Sequence, residues 1–569
     1  MRLRPLLRLV AVALLAWSLT ASAAAPPRLV VVIVADQFRA DYLTTFASHW
    51  RAGVQTLLRD GANFRRAQYP YAYTDTCAGH STIATGTLPR THGMIADSWW
   101  DHETNLLVDC TDDEAASIIS YGSPLVVAAP VAGRGATPAG GRGAAPVGGA
   151  GNSPRNLLAQ TLADELRQQR PGGRVVTLSL KERAAINLAG HSGDAVMWFD
   201  EAAGTFATSS AFASAPVPEV TQFIDASPYV KDVGFVWTLR DPSTTYRNRD
   251  AGVGERPSNP WSGLFPHNLE GATAAQYANL WRRTPAADVY LARMATALID
   301  AYRLGQAENK TDFLGISFST LDYVGHQFGP DSREVEDIAA HLDDVLGSLI
   351  AHLDDKVGRA KYVLAFTADH GVAPVPSPAK GFGSLTLDDV RERIEETLRN
   401  RYGPPDKDAH VARIYYPNVY LSPAIRQRLA ADPLTVRAVQ DAVTSLPGVA
   451  RLLYTPELSD RSRDPLVRAA ALGRAATRSG AFLIVQKRNW VLGPRGTADA
   501  TTHGSPYDYD QHVPLILLGG GIRRGTYDAA AAPTDIAPTL AALAGVTLAK
   551  VEGRVLQEAL LPDSQTTRR

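Results

Sequence analysis

Four segments of this chain place hard-metal ligands at the ends of apolar, strand-length runs. LVVVIVAD ends on Asp36, and FLGISFST leads into LDYVGH, with Asp322 and His326. KYVLAFTADH ends on Asp369 and His370, and TTHGSPYDYDQH, which holds His503, leads into the run VPLILL. Helix-like stretches at 286–304 and 333–354 precede the strands FLGISFS and YVLAFT. This alternation predicts an α/β core with a largely parallel central sheet flanked by helices. Sites in such sheets lie at the carboxyl ends of the strands, where these residues fall.

Three Asp and three His suffice for two divalent ions with three protein ligands each, and a borderline ion such as Zn²⁺ accepts both residue types. Asp322 and His326 are spaced i, i+4, so one helical turn puts them on one face. Alone, Asp-x-x-x-His would be a surface pair and Asp369-His370 would mean little. The set across separate segments carries the inference. In TDTCAGHST, Thr76 is the preferred nucleophile over Thr74, Ser81 and Thr82. Its hydroxyl needs an ion or base to lower its pKa. Gly79 leaves room for close approach to phosphate, and a helix starting here would offer N–H groups to an anion. Without the metal ligands, Thr74 or Thr76 would read as an N-cap. A hydroxyl beside two ions points to phosphoryl transfer.

Lys+Arg 57 against Asp+Glu 58 leaves no global field favouring nucleic acid or an anionic membrane as partner. The N-terminus has Arg2, Arg4 and Arg8, then an apolar run, then Ala21-Ser22-Ala23. It reads as a cleaved signal peptide over 1–23, so the expected mature protein is exported, periplasmic or secreted, with no membrane anchor. Cys77 and Cys110 pair or stay buried thiols, and neither has zinc-site spacing. Oligomeric state is not legible.

The expected catalytic core spans 24–384 and 491–569, with a low-complexity insertion at 130–152 and a loop-rich cap at about 200–285. The loops of the cap are expected over the site rather than in the core. Residues 385–490 read as an inserted, smaller α+β subdomain. SPRNLLAQTLADELRQQ reads as an amphipathic helix capped by Ser153, with Pro154 at its first position.

The strand ending in Asp36, the TCAGHS turn, Leu-Asp-x-x-Gly-His, Thr-Ala-Asp-His-Gly, Thr-His-Gly and the closing TDIAPTLAALAGV resemble the alkaline phosphatase superfamily across the whole mature chain. The similarity is greatest to the phosphate-irrepressible alkaline phosphatases, whose nucleophile is threonine. The resemblance implies hydrolysis of small phosphate monoesters with two Zn²⁺ per subunit. Asp322, His326 and His503 would hold one ion. Asp36, Asp369 and His370 would hold the other, with the Thr76 oxygen as its nucleophilic ligand. In SLKERAAI, Lys181 and Arg183 match the family's Lys-x-Arg pair, which contacts the non-bridging phosphate oxygens. An ammonium and a forked guanidinium suit a dianion.

One position departs from the family. Where it has a phosphate-binding Asn, HGMIADSWWD has Asp97, and an ionised carboxylate cannot donate to phosphate. Either Asp97 keeps a proton, Ser98 takes the contact, or substrate preference has shifted. His80, His92 and His191 read as neighbours rather than ligands. The alternative activity is a phosphodiesterase or nucleotide pyrophosphatase of the same superfamily, which lacks the Lys-x-Arg pair. A sulfatase is disfavoured because Cys77 is followed by Ala-Gly-His. A catalytically inactive binding protein would have lost a ligand, and none is missing.

Overall fold

The computed structural model describes residues 25–122, 151–232, 234–269, 274–405 and 409–562. The signal-peptide reading of 1–23 and all but the last two residues of the 130–152 insertion lie outside these.

The central sheet uses β1 (Leu29–Ala35), β2 (Ala62–Ala67), β3 (Ile118–Ser120), β4 (Val175–Ser179), β5 (Ala195–Asp200), β6 (Thr205–Ser209), β7 (Asp312–Phe318), β8 (Tyr362–Thr367), β9 (Leu515–Gly519) and β10 (Gly525–Ala531). Its ten strands run in the order β10-β2-β9-β8-β1-β7-β4-β5-β6-β3. The block β8-β1-β7-β4-β5 is parallel, while β9 runs antiparallel between β8 and β2, and β6 antiparallel beside β5. The sheet is therefore mixed, parallel where the ligand-bearing strands lie.

The helices that matter here are α1 (Thr76–Thr85), α2 (Leu162–Gln169), α3 (Glu182–Ala189), α4 (Pro285–Tyr302), α5 (Thr320–Phe328), α6 (Arg333–Lys356) and α7 (Ile536–Ala544). Successive side chains of a strand point to opposite faces, and β1 feeds both cores. Leu29, Val31 and Ile33 join one core with Leu291 and Met294 of α4 and Leu342 and Leu346 of α6. Val30, Val32 and Val34 join the other with Leu162, Ile186, Ile536 and Leu540. A strand covered on both faces needs no polar residue, which is why LVVVIVA is uniformly apolar.

Residues 153–161 correct one expectation, because the helix starts later, at Leu162. Thr161 caps it by accepting from the Asp164 N–H, and Asp164 accepts from the Thr161 N–H in return. This reciprocal box satisfies two orphan donors where Ser153 could satisfy one. Ser153 instead donates to Asp113 at 2.6 Å. The 200–285 stretch is rich in loops, but its aromatic side chains are core, against the expectation that it lies clear of it. Trp237 and Trp281 are fully buried, and Trp237 Nε1 donates to Asp337 of α6 at 2.6 Å.

Between β8 and β9 a separate four-stranded antiparallel sheet forms from Val411–Tyr415, Asn418–Leu421, Phe482–Gln486 and Val449–Tyr454. The helices Leu387–Tyr402 and Pro433–Thr444 pack on it around a core of their own, including Ile394, Val439 and Phe482. Cys77 and Cys110 form a disulfide, which settles the alternative left open by the sequence. Among the described residues no helix is long and apolar enough to cross a membrane.

Candidate active site

Four adjacent parallel strands deliver the site. Asp36 follows β1, Asp322 and His326 ride on α5 just after β7, Asp369 and His370 follow β8, and Lys181 follows β4. Strand register thus gathers residues distant in sequence at one sheet edge. α1 arrives from the side with Thr76 as its first residue, and His503 comes from the loop before β9. Gly79 permits this approach, because a Cβ there would collide with the Asp369 backbone. It thus serves the close contact of helix with strand end.

All of these side chains are buried. Thr76 Oγ1 lies 3.5 Å from both His370 Nε2 and Lys181 Nζ. Lys181 Nζ sits 2.5 Å from Asp36 Oδ2 and 2.5 Å from Asp322 Oδ2. His370 Nε2 is 3.5 Å from Asp36 Oδ1 and 3.4 Å from Asp369 Oδ2. His326 Nε2 is 3.2 Å from Asp322 Oδ1, as the i, i+4 spacing requires, and His503 Nε2 is 3.9 Å from the same oxygen. The His370 and His503 rings stack 3.6 Å apart.

The donor set fits divalent metal. Ligand atoms of Asp322, His326 and His503 lie within 4.8 Å of one another, and so do those of Asp36, Asp322 and His370. His326 Nδ1 contacts the Thr501 carbonyl at 2.9 Å and His370 Nδ1 the Gly371 carbonyl at 3.0 Å. Only an N–H can donate to a carbonyl, so each bond fixes the tautomer that leaves Nε2 as a lone pair facing the centre. Asp36 Oδ1 and Asp369 Oδ2 are buried without a hydrogen bond. Such oxygens are costly unless a cation meets them.

Burial pushes the Asp36 carboxyl well above the usual carboxylate range, and Asp322 and Asp369 add to the rise. Burial also acts on Asp322, but Lys181 and His326 outweigh it and hold that carboxyl far down. Burial presses His370 and His503 downward, toward the neutral imidazole that binds metal. Burial opposes the Lys181 charge, yet Asp322 and Asp36 keep it above the ordinary lysine value.

Arg183 and Asp97 meet at the start of α1. Arg183 Nε is 2.9 Å from Asp97 Oδ2, and Asp97 Oδ1 accepts from the Cys77 N–H at 3.0 Å. Asp75 Oδ1 accepts from the Thr76 N–H at 3.0 Å. The helix N-terminus therefore already carries carboxylates. That corrects the expectation that its first N–H groups await an anion. The Ser98 hydroxyl, the other candidate at this position, donates to Asp109.

His92 contacts Thr82 Oγ1 at 3.1 Å, and burial lowers it to about 3. His191 pairs with Asp164 at 2.9 Å. His80 contacts the Thr76 carbonyl at 2.9 Å and Ser317 Oγ at 2.8 Å, and lies 3.3 Å from Asp369 Oδ2. It packs beside the centre rather than completing either group.

Two contributors escaped the sequence reading. Gln37 adopts a left-handed φ of 69°, donates its N–H to Asp369 Oδ1 at 3.2 Å and its Nε2 to Asp322 Oδ1 at 2.7 Å. Such a φ is uncommon outside glycine and costs roughly 1–3 kcal/mol. Gly325 leaves the space this amide needs. Asp75, the α1 cap, also groups with His370 and His503 as a possible ligand set. Position was the available signal: Gln37 follows Asp36 and Asp75 precedes Thr76.

Residues 30–506 match the family profile described as Type I phosphodiesterase / nucleotide pyrophosphatase. Alkaline phosphatase PafA of Elizabethkingia meningoseptica is 31% identical over 91% of this chain and 91% of its own. Alkaline phosphatase PhoV of Synechococcus elongatus is 29% identical over 91% of this chain and 90% of its own. The crystal structure of wild type alkaline phosphatase PafA superposes with a TM-score of 0.81 at 29% identity, covering 95% of this chain and 100% of that one.

Proposed function

We propose, from the premise that this chain belongs to the Type I phosphodiesterase / nucleotide pyrophosphatase family of the alkaline phosphatase superfamily, how its phosphomonoesterase chemistry runs. It is an alkaline phosphatase, a phosphoric monoester hydrolase. The finer reading is an exported, zinc-dependent enzyme working through a phospho-threonine at Thr76. The observation that carries it is Lys181 Nζ 3.5 Å from Thr76 Oγ1. A buried ammonium beside a hydroxyl at a carboxylate-imidazole centre suits an incoming dianion.

Asp322, His326 and His503 would hold one Zn²⁺, and Asp36, Asp369 and His370 the other. When bound, such ions lower the pKa of a hydroxyl and stabilise a departing oxygen. Thr76 Oγ1 loses its proton and bonds to phosphorus as the ester P–O bond breaks, and the alcohol leaves. Water then cleaves the phospho-threonine, returning the hydroxyl and releasing phosphate. Lys181 and Arg183 orient the non-bridging oxygens in both steps. Gln37 holds the Asp322 and Asp369 carboxylates in register.

One observation favours diesterase activity as a second reading: Asp97 neutralises part of the Arg183 charge. A monoanionic diester needs less positive charge than a dianionic monoester. Quench-flow with a monoester, followed by mass spectrometry of the Thr76 peptide, tests the main reading. Turnover without a phosphorylated Thr76 would exclude it, and a kcat/KM for diesters above that for monoesters would favour the second.

A further inference from the structure

The Tyr323 ring, one residue past Asp322, gathers three cations. Lys181 Nζ lies 5.3 Å from its centroid, the Arg282 guanidinium carbon 4.5 Å and the Arg283 guanidinium carbon 5.5 Å. Lys181 also touches the Thr76 side of the site, so the two arginines stand one aromatic ring away from the candidate chemistry. They belong to the turn between the helix Ala274–Trp281 and α4, which the active-site description did not use.

The charge balance of these cations is unequal. Lys181 has Asp36 and Asp322, and Arg183 has Asp97 and Glu182. Arg282 holds Glu201, with Nη1 at 2.6 Å from Oε2. Arg283 donates to the Asn279 carbonyl at 2.6 Å and to Asn279 Oδ1 at 2.9 Å, both neutral acceptors. Its Nε is buried without a hydrogen bond. No carboxylate of the described residues forms an ion pair with it. Burial and the neighbouring Arg282 press its pKa down to about 10. A guanidinium so placed gains from an anion that can accept its free donors. Packing on Tyr323 accounts for part of the placement, since rings attract cations. It leaves Arg283 with only the longer-range attraction of Glu201 and Asp499 and no carboxylate in contact.

We propose that Arg283, backed by Arg282 and the Tyr323 ring, is a subsite for a second anionic group on the alcohol side of the substrate. Tyr323 directly follows Asp322, a member of the ligand group assigned to the departing oxygen, and its ring lies 5.3 Å from Lys181 Nζ. The preferred substrates are then phosphate esters whose alcohol carries its own phosphate or carboxylate. The inference rests on the phosphatase reading above and adds a substrate class to it.

The test uses the zinc-loaded full chain with glycerol 2-phosphate, a phosphoglycerate and a sugar bisphosphate. The wild type should show a higher kcat/KM for both charged esters than for glycerol 2-phosphate. Arg283→Gln should lower that charged-to-neutral ratio about ten-fold, the scale of one charge-assisted hydrogen bond, chiefly through KM. Arg283→Lys should retain more of it. The phosphoglycerate and bisphosphate arms show whether carboxylate or phosphate is favoured. A wild type without the preference overturns the proposal whatever the variants do, and so does an unchanged ratio in Arg283→Gln. Absence of turnover on all three esters would overturn the phosphatase reading and this inference with it.

Discussion

Arg183 Nε and Asp97 Oδ2 lie 2.9 Å apart, and the other Asp97 oxygen accepts from the Cys77 N–H at the first turn of α1. One carboxylate thus links the guanidinium assigned to phosphate with the helix that carries Thr76. It steadies both, and it offsets charge that a dianion would otherwise use.

Replacing that carboxylate with its amide separates the two effects. Asp97→Asn keeps an acceptor for the Cys77 N–H but removes the negative charge. KM for a monoester is expected to fall roughly three- to ten-fold, in the range of one charge-assisted contact. The change for a diester should be smaller. A lower kcat on both substrates would mean that holding Arg183 outweighs freeing its charge.

Thr76→Ala should reduce turnover by several orders of magnitude, because the hydroxyl 3.5 Å from Lys181 and His370 is lost. Thr76→Ser should retain measurable activity. If Thr74→Ala is the crippling change instead, the register assumed for the turn is wrong.

Asp36, Asp322, Asp369, His326 and His370 were legible as a group because each follows a strand of the parallel block, whereas Lys181 was legible only through its match to the family's Lys-x-Arg pair. A local rule, residue after strand, is enough to place that group together. Gln37 was not legible, because its role depends on a left-handed backbone and on Asp322, 285 residues away. The start of α2 was misplaced because Ser153-Pro154 and Thr161-x-x-Asp164 both carry N-cap signals, and only packing decides between them. Strand β2, ANFRRA, went unseen because its exposed arginines break the apolar pattern. The role of Arg283 needs the ring of Tyr323 beside it, which no sequence spacing announces.

Removing metal should abolish activity and lower Tm together. Burial, with the Asp322 and Asp369 carboxylates added, holds the Asp36 carboxyl above its ordinary range, and two divalent ions would relieve that. Dialysis against a chelator followed by zinc titration should recover both properties, with metal analysis reaching two ions per chain. Full activity in metal-free protein would end the two-ion mechanism.

Stability should depend on pH through His49, well outside the active site. Its Nδ1 is 2.7 Å from Asp241 and its Nε2 3.0 Å from Glu336. A neutral imidazole can donate from one nitrogen only, so both contacts are satisfied by the imidazolium. Burial opposes the charge, but the two carboxylates win and raise the His49 pKa. The raised folded value means the contribution is fully present below the unfolded pKa of about 6.5. It is lost as pH rises through the folded value. His49→Gln should flatten the Tm profile across that window, and an unaltered profile would assign the slope to other groups.

The disulfide should matter to the site as well as to the fold. Cys77 follows Thr76, and the Cys110 N–H donates to the Asp97 carbonyl at 2.8 Å. The bond therefore ties the segment bearing Asp97 to the first turn of α1. Its partners are 33 residues apart, for which loop-closure entropy gives about 4 kcal/mol as an upper figure. The Cys77→Ser, Cys110→Ser double variant should show a lower denaturation midpoint. Because Arg183 leans on Asp97, it should also show a raised monoester KM under conditions where the fold remains intact. A fall in midpoint with KM unchanged would make the bond a staple for the chain alone, and Asp97 would then be held by its contacts to Cys77 and Arg183.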